Sequence, residues 1–309
     1  MVYGTAWKKD RTADLVAKAI KAGFRHIDTA CQPRHYNEAG VGDGWVLAAR
    51  ELNLDRTDIW LQTKFSGLNA HDPNNVPYDV NASLEDRVRQ SLQKSLENLK
   101  TDYIDSWIMH GPEDSWDDHW KVWRTMETAV DEGKVRQLGL SNFYRLEGKH
   151  PLNAGVIIRK YAVTQLICIC REDVQWAYAH ARIKPKVIQN RFYAESGHDV
   201  EIRAFCKEHH IEYQSFWTLT GNRDAFHHQA AHDLSIRKQL SPEALFYAFC
   251  MAIGISPMDG TTDEAHMKEA TALMYRIRRG EKIFETKEEI DIIGNALGTP
   301  GWWNTEDEL

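Results

Sequence analysis

The chain has 309 residues, of which 42% are hydrophobic and 27% charged, and a formal net charge of −7. The length exceeds one small core and suits a single α/β barrel. The acidic balance without a long basic run argues against nucleic acid or an anionic membrane surface as partner. Five scattered cysteines (Cys31, Cys168, Cys170, Cys206, Cys250) with no C-x-x-C pair point to reduced thiols. With no apolar segment near Met1 of the kind a secretory signal needs, a cytoplasmic location is expected.

In chain order, Val2–Thr5 reads as a short strand. Thr12–Ala22 follows as a helix, with Leu15, Val16, Ala19 and Ile20 at helical spacing and Gly23 to end it. A second strand runs to Asp28. Val41–Leu52 is predicted helical and Ile59–Lys64 a strand. Ser83–Lys100 is a helix capped by Ser83. The strand Ile104–His110 precedes a helix over Ser115–Val130, whose Trp116, Trp120 and Trp123 form a stripe expected to pack on the barrel. Val135–Leu140, Lys186–Asn190, Ile211–Phe216 and Ile253–Ser256 are read as the remaining strands. Helices are predicted over Val200–His209, Ser241–Ala252, Asp263–Met274 and Lys287–Leu297, with a His-rich loop after Phe216. His228 and His232 in that stretch have i, i+4 spacing but lack a third ligand nearby, so no metal is expected there. Eight strands alternating with helices predict one (β/α)₈ barrel, a TIM barrel, over residues 1–309.

The pattern breaks between Glu147 and Arg171. Residues 148–170 have neither helical nor strand periodicity, and removing them joins their flanks into a continuous loop and helix. They read as an insertion of 23 residues. It is either the product of a retained intron or a genuine loop.

Three strand ends carry chemistry. Asp28, Lys64 and His110 each stop a strand, and a loop delivers Tyr36 after Asp28. In a closed parallel barrel all such ends share one face, so the four could meet. Gly23–Glu38, with its D-T-A-C-Q-P-R-H-Y run, resembles the aldo-keto reductase signature, in the form carried by a fungal and bacterial subgroup. Lys64 and His110 lie where that family keeps its other two catalytic residues. Members usually carry an N-terminal β-hairpin plug before the first strand; this chain begins at the strand, so the plug is expected to be missing or removed.

The resemblance implies NAD(P)H-dependent reduction of an aldehyde or ketone to an alcohol. Tyr36 would give the proton, Lys64 (held by Asp28) would lower the tyrosine pKa, and a neutral His110 would orient the carbonyl. Tyr36 stands eight residues after Asp28 rather than the commoner five, which leaves His35 as a rival donor. Ser141, Asn142 and Gln189 resemble the residues that hold the nicotinamide carboxamide. The family's stacking tyrosine is replaced by Gln214, so Phe216 or Trp217 would have to cover the ring. Ser215, Leu219 and Gly221 are expected along the pyrophosphate. Gly260, Thr261, Thr262, His266 and Glu269 are expected at the adenosine end, with Lys268 as the only formal cation there. NADPH is the expected cofactor and NADH an open alternative. The partner is a small carbonyl compound, with apolar character suggested by Trp7, Phe65 and Trp217. Competing readings are a non-catalytic cofactor-binding or interaction protein of the same fold, and an inactive mis-spliced reductase.

Overall fold

The structure is a computed structural model and describes residues 1–143 and 171–298. The insertion read at 148–170 lies outside the described residues. Eight parallel strands close into a barrel in sequence order: β1 (Val2–Gly4), β2 (His26–Asp28), β3 (Trp60–Phe65), β4 (Ile104–Met109), β5 (Val135–Ser141), β6 (Val187–Arg191), β7 (Glu212–Phe216) and β8 (Ile255–Asp259). β8 closes on β1 through Tyr3 opposite Asp259. The helices between them are α1 (Thr12–Ala22), α2 (Glu38–Leu52), α3 (Leu84–Leu99), α4 (Trp116–Asp131), α5 (Arg171–His180), α6 (Val200–Glu208), α7 (Arg223–Phe226), α8 (Gln229–Lys238), α9 (Pro242–Ala252) and α10 (Glu264–Arg278); α11 (Lys287–Ala296) follows. This is the (β/α)₈ barrel the sequence predicts.

Local chemistry sets most boundaries. Ser83, Ser115 and Ser241 accept from the backbone N–H three residues on, capping α3, α4 and α9, and Pro242 occupies the first turn of α9. Gly23 ends α1 at φ +124°, where a side chain would be strained. The apolar helix faces (Ile20 of α1, Val41 of α2, Leu92 of α3, Met126 of α4, Phe249 of α9) are fully or nearly fully buried in one core around the barrel wall. Burial of such faces supplies most of the folding drive. The tryptophan stripe packs as expected. Trp123 is in the core, and Trp116 and Trp120, partly buried, pack against it and against Trp176 of α5 at 5.1 and 5.0 Å between ring centroids.

Two expectations need correcting. The eighth strand starts at Ile255, not Ile253. Ile253 still donates to Phe249 O as the cap of α9, and Gly254, at φ +78°, makes the turn first. The stretch read as a His-rich loop is largely helical, because Ala231 and Leu234 give α8 a buried face. His232 stays on its exposed side, and His227 and His228, just before it, are exposed as well.

The barrel interior is unusually polar for this architecture, where bulky branched residues usually dominate. Asp28, Gln62 and Ser106 are neighbours across β2, β3 and β4, and Gln189 pairs in register with Gln214. Alternation along a strand sends every second side chain inward. These residues therefore form a hydrogen-bonded layer directly beneath the strand ends.

Candidate active site

Asp28 and Lys64 make the centre of that layer. Lys64 Nζ lies 2.6 Å from Asp28 Oδ2, and both side chains are 1% exposed. A buried pair holds only if its remaining donors and acceptors are satisfied. Here Lys64 also donates to Thr29 O at 2.7 Å, and Asp28 Oδ1 accepts from Gln62 Nε2 at 2.8 Å and Gln189 Nε2 at 3.0 Å. Gln214 Oε1 in turn accepts from both amides at 2.7 and 3.0 Å, so three glutamines brace one carboxylate.

The loop after β2 turns on Gln32, whose carbonyl accepts from both His35 N and Tyr36 N. The extra residues are absorbed there. Tyr36 faces inward, with Lys64 Nζ 5.2 Å from its ring centroid and the His110 ring edge-on at 5.9 Å. His35 instead packs against Trp7 at 4.2 Å. The three strand-end residues and the loop tyrosine therefore come together, with Tyr36 rather than His35 beside the lysine.

The electrostatics correct one expectation. The Tyr36 phenol is pushed up, not down, first by burial and then by the Asp28 charge. Asp28, which pairs with the Lys64 ammonium, works against the lowering the lysine alone would give. Burial also pulls Lys64 down, against the pull of Asp28. His110 is held well below the usual imidazole range by burial, with Lys64 adding to the effect, so it is neutral. Its Nδ1 lies 2.7 Å from the Oγ of Ser66, a fully buried residue. The Ser66 carbonyl accepts from Tyr78 Oη at 3.0 Å and lies 3.1 Å from His71 Nε2. Ser66 thus ties His110 to the long loop after β3.

The expected cofactor residues divide. Ser141 is buried at the end of β5, and Asn142 Nδ2 donates to Ser141 Oγ and to His110 O. Gln189 is in the layer described above. Gln214 is fully buried inside the barrel and covers nothing. Ser215 is also fully buried, its hydroxyl bonded to Thr218 at 2.8 Å, so it closes a turn rather than facing the mouth. Leu219 is partly buried against the core. Glu269 is committed elsewhere, since its carboxylate accepts from Ser241 N and Ser241 Oγ, both at 2.8 Å. Thr262 and His266 are exposed beside the start of α10, which Asp263 caps.

Sequence reasoning missed Lys8. It reaches across from the β1–α1 loop, donates to Gly260 O at 2.8 Å and lies over the Tyr3 ring at 5.0 Å; Tyr3 Oη donates to Thr261 O. Burial lowers its pKa to about 8 against the pull of Asp259. Lys268 is therefore not the only cation near the Gly260–Thr262 turn. Lys8 lies 252 residues before Gly260 in sequence, so no local pattern reveals it.

Residues 1–148 match the family model described as "Aldo/keto reductase family". Over that part, just under half of its length, the chain is similar to the aldo/keto reductase family. An uncharacterised oxidoreductase of Schizosaccharomyces pombe is 35% identical over 44% of this chain and 41% of its own length. The NAD(P)H-dependent D-xylose reductase of Pachysolen tannophilus is 31% identical over 44% of this chain and 46% of its own. The matches thus span less than half of these curated relatives. Among solved structures, a Bombyx mori aldo-keto reductase in complex with NADP aligns with a TM-score of 0.68 at 19% identity, covering 96% of this chain and 88% of that one. At that identity the likeness speaks for the fold.

Proposed function

We propose that the barrel reduces an aldehyde or ketone to an alcohol with a bound nicotinamide dinucleotide, NADPH in the first place. The observation that carries this is the Asp28–Lys64 pair at 2.6 Å beneath Tyr36, with a neutral His110 beside it. The cofactor supplies a hydride when bound; the protein must supply the proton and fix the carbonyl.

The residues present fit such a cofactor. Ser141 and Asn142 offer hydroxyl and amide groups at the ends of β5, matched to a carboxamide that is both donor and acceptor. Lys8 offers a cation for a phosphate at the Gly260–Thr262 turn. Partly buried and neutral, Tyr36 carries the proton the carbonyl oxygen takes as it becomes an alcohol. Lys64, next to it, stabilises the phenolate left behind. His110 donates to the same oxygen through Nε2, which requires that Nδ1 accept from Ser66 Oγ, a role the serine hydroxyl can fill.

The direct test is NADPH absorbance with a panel of aldehydes and ketones. Consumption that depends on the carbonyl compound supports the reading; cofactor binding without consumption across the panel favours a non-catalytic role.

Lys8 adds a pH prediction. A phosphate partner needs its protonated form, so cofactor Kd should rise with pH above about 8, by up to roughly tenfold per unit. Lys8→Arg keeps its charge over that range. Fluorescence titrations across the range should show the rise in the parent and a flat Kd in the variant.

A further inference from the structure

The last residue of β6 is a cation with no anion paired to it among the described residues. Arg191 pairs in register with Phe216 and points to the same side of its strand as Gln189, into the barrel mouth. Its guanidinium lies among three rings, 4.1 Å from the Trp217 centroid, 5.3 Å from Tyr193 and 5.7 Å from Phe216. No carboxylate among the described residues pairs with it, and its buried Nε has no hydrogen-bond partner. The site is rigidly built. Ser196 Oγ donates to Arg191 O, and Asn222 bridges the neighbouring loops by donating to Phe192 O and Thr218 O. Trp217 holds a left-handed φ of +57° to present its ring, half exposed.

A partly buried guanidinium has only donors to offer, and a buried one left unmet, as Nε is here, is costly in a low-dielectric setting. Flat rings fix its plane and leave its edge for a bidentate anion. One inward position along a strand, ~7 Å, separates Arg191 from Gln189, which touches Asp28. That is the reach of a short carbon chain from the reacting centre. The cofactor's phosphate has a separate cation in Lys8, at the seam of β8 and β1.

We propose that Arg191 binds a carboxylate on the carbonyl substrate, so that the favoured substrates are short oxo acids. This rests on the carbonyl-reductase reading above and names the substrate class of the same site.

The test compares succinic semialdehyde with butanal, which differ by the carboxylate, in the parent, Arg191→Met and Arg191→Lys, with NADPH affinity and thermal melts alongside. Arg191→Met should lower kcat/KM for succinic semialdehyde roughly 30-fold, the scale of one charge-assisted pair, and the loss should appear in KM. Butanal should change by less than about twofold, NADPH affinity should hold, and Arg191→Lys should fall between. Equal losses on both aldehydes overturn the proposal, as does a loss carried by NADPH affinity, which would assign the guanidinium to a cofactor phosphate. Binding of butanoate against butanamide to the NADP-loaded protein needs no turnover. If the parent's preference for butanoate disappears in Arg191→Met while no aldehyde is reduced, the anion site stands and the reductase reading falls. If butanoate has no preference in the parent, the anion site falls whatever the variants do. Should Arg191→Met fail to fold, Arg191→Lys and the parent's own preferences decide.

Discussion

Tyr36→Phe should lower carbonyl reduction by roughly 100- to 10,000-fold, the range over which a positioned general acid contributes, while cofactor affinity stays at the parent level. The change removes one oxygen and keeps the ring that lies between Lys64 and His110. Packing is therefore retained and the lost atom is the proton source. The pH dependence follows from the direction of the shift. Burial holds the phenol above its usual pKa of about 10, so it keeps its proton throughout the neutral range. The kcat for reduction by the parent should show no decline from Tyr36 ionisation below about pH 10. An alkaline fall near neutrality that disappears in Tyr36→Phe would mean the phenol is acidified instead.

Lys64→Met should be the most damaging single change for stability. It leaves the Asp28 carboxylate 1% exposed with two amide donors but no cation. Breaking a buried pair on one side costs about 3–5 kcal/mol, a large part of the stability of an ordinary domain. Adding Asp28→Asn to Lys64→Met removes the stranded charge and should recover most of the loss in a denaturant melt. Activity should not return, since the ammonium beside Tyr36 is still missing. Recovery of both stability and turnover would make the pair a packing device with no part in catalysis.

The convergence of Asp28, Tyr36, Lys64 and His110 was legible from the sequence because each strand end carries its residue locally, and barrel closure brings such ends to one face. Most helix starts were legible for a similar reason: Ser83, Ser115 and Ser241 cap within three residues. What escaped depends on distant partners. Glu269 looked free for the adenosine end, yet it accepts from Ser241, which lies in another helix's cap. Gln214 looked like a poor substitute for a stacking ring; its role is inside the barrel, where Gln62 and Gln189 complete it. Lys8 and Arg191 carry no motif, and only their surroundings at the mouth set them apart. The direction of the Tyr36 shift was misjudged because the lysine was counted without the burial of the phenol and the Asp28 charge, both of which raise it. Ser66 follows directly on the Thr63-Lys64-Phe65 strand end, and only the folded geometry places it on His110 Nδ1.

The central claim is that Tyr36 and His110 act on one carbonyl oxygen as a unit. The measurement that tests it most directly is kcat/KM for an aldehyde in Tyr36→Phe, His110→Gln and the double variant, with cofactor affinity checked in each. Residues that act as a unit show strongly non-additive losses. The account predicts that both single changes are severe and that the double variant is little worse than the slower of the two. Losses that multiply, or a single variant that keeps parental turnover, would contradict it.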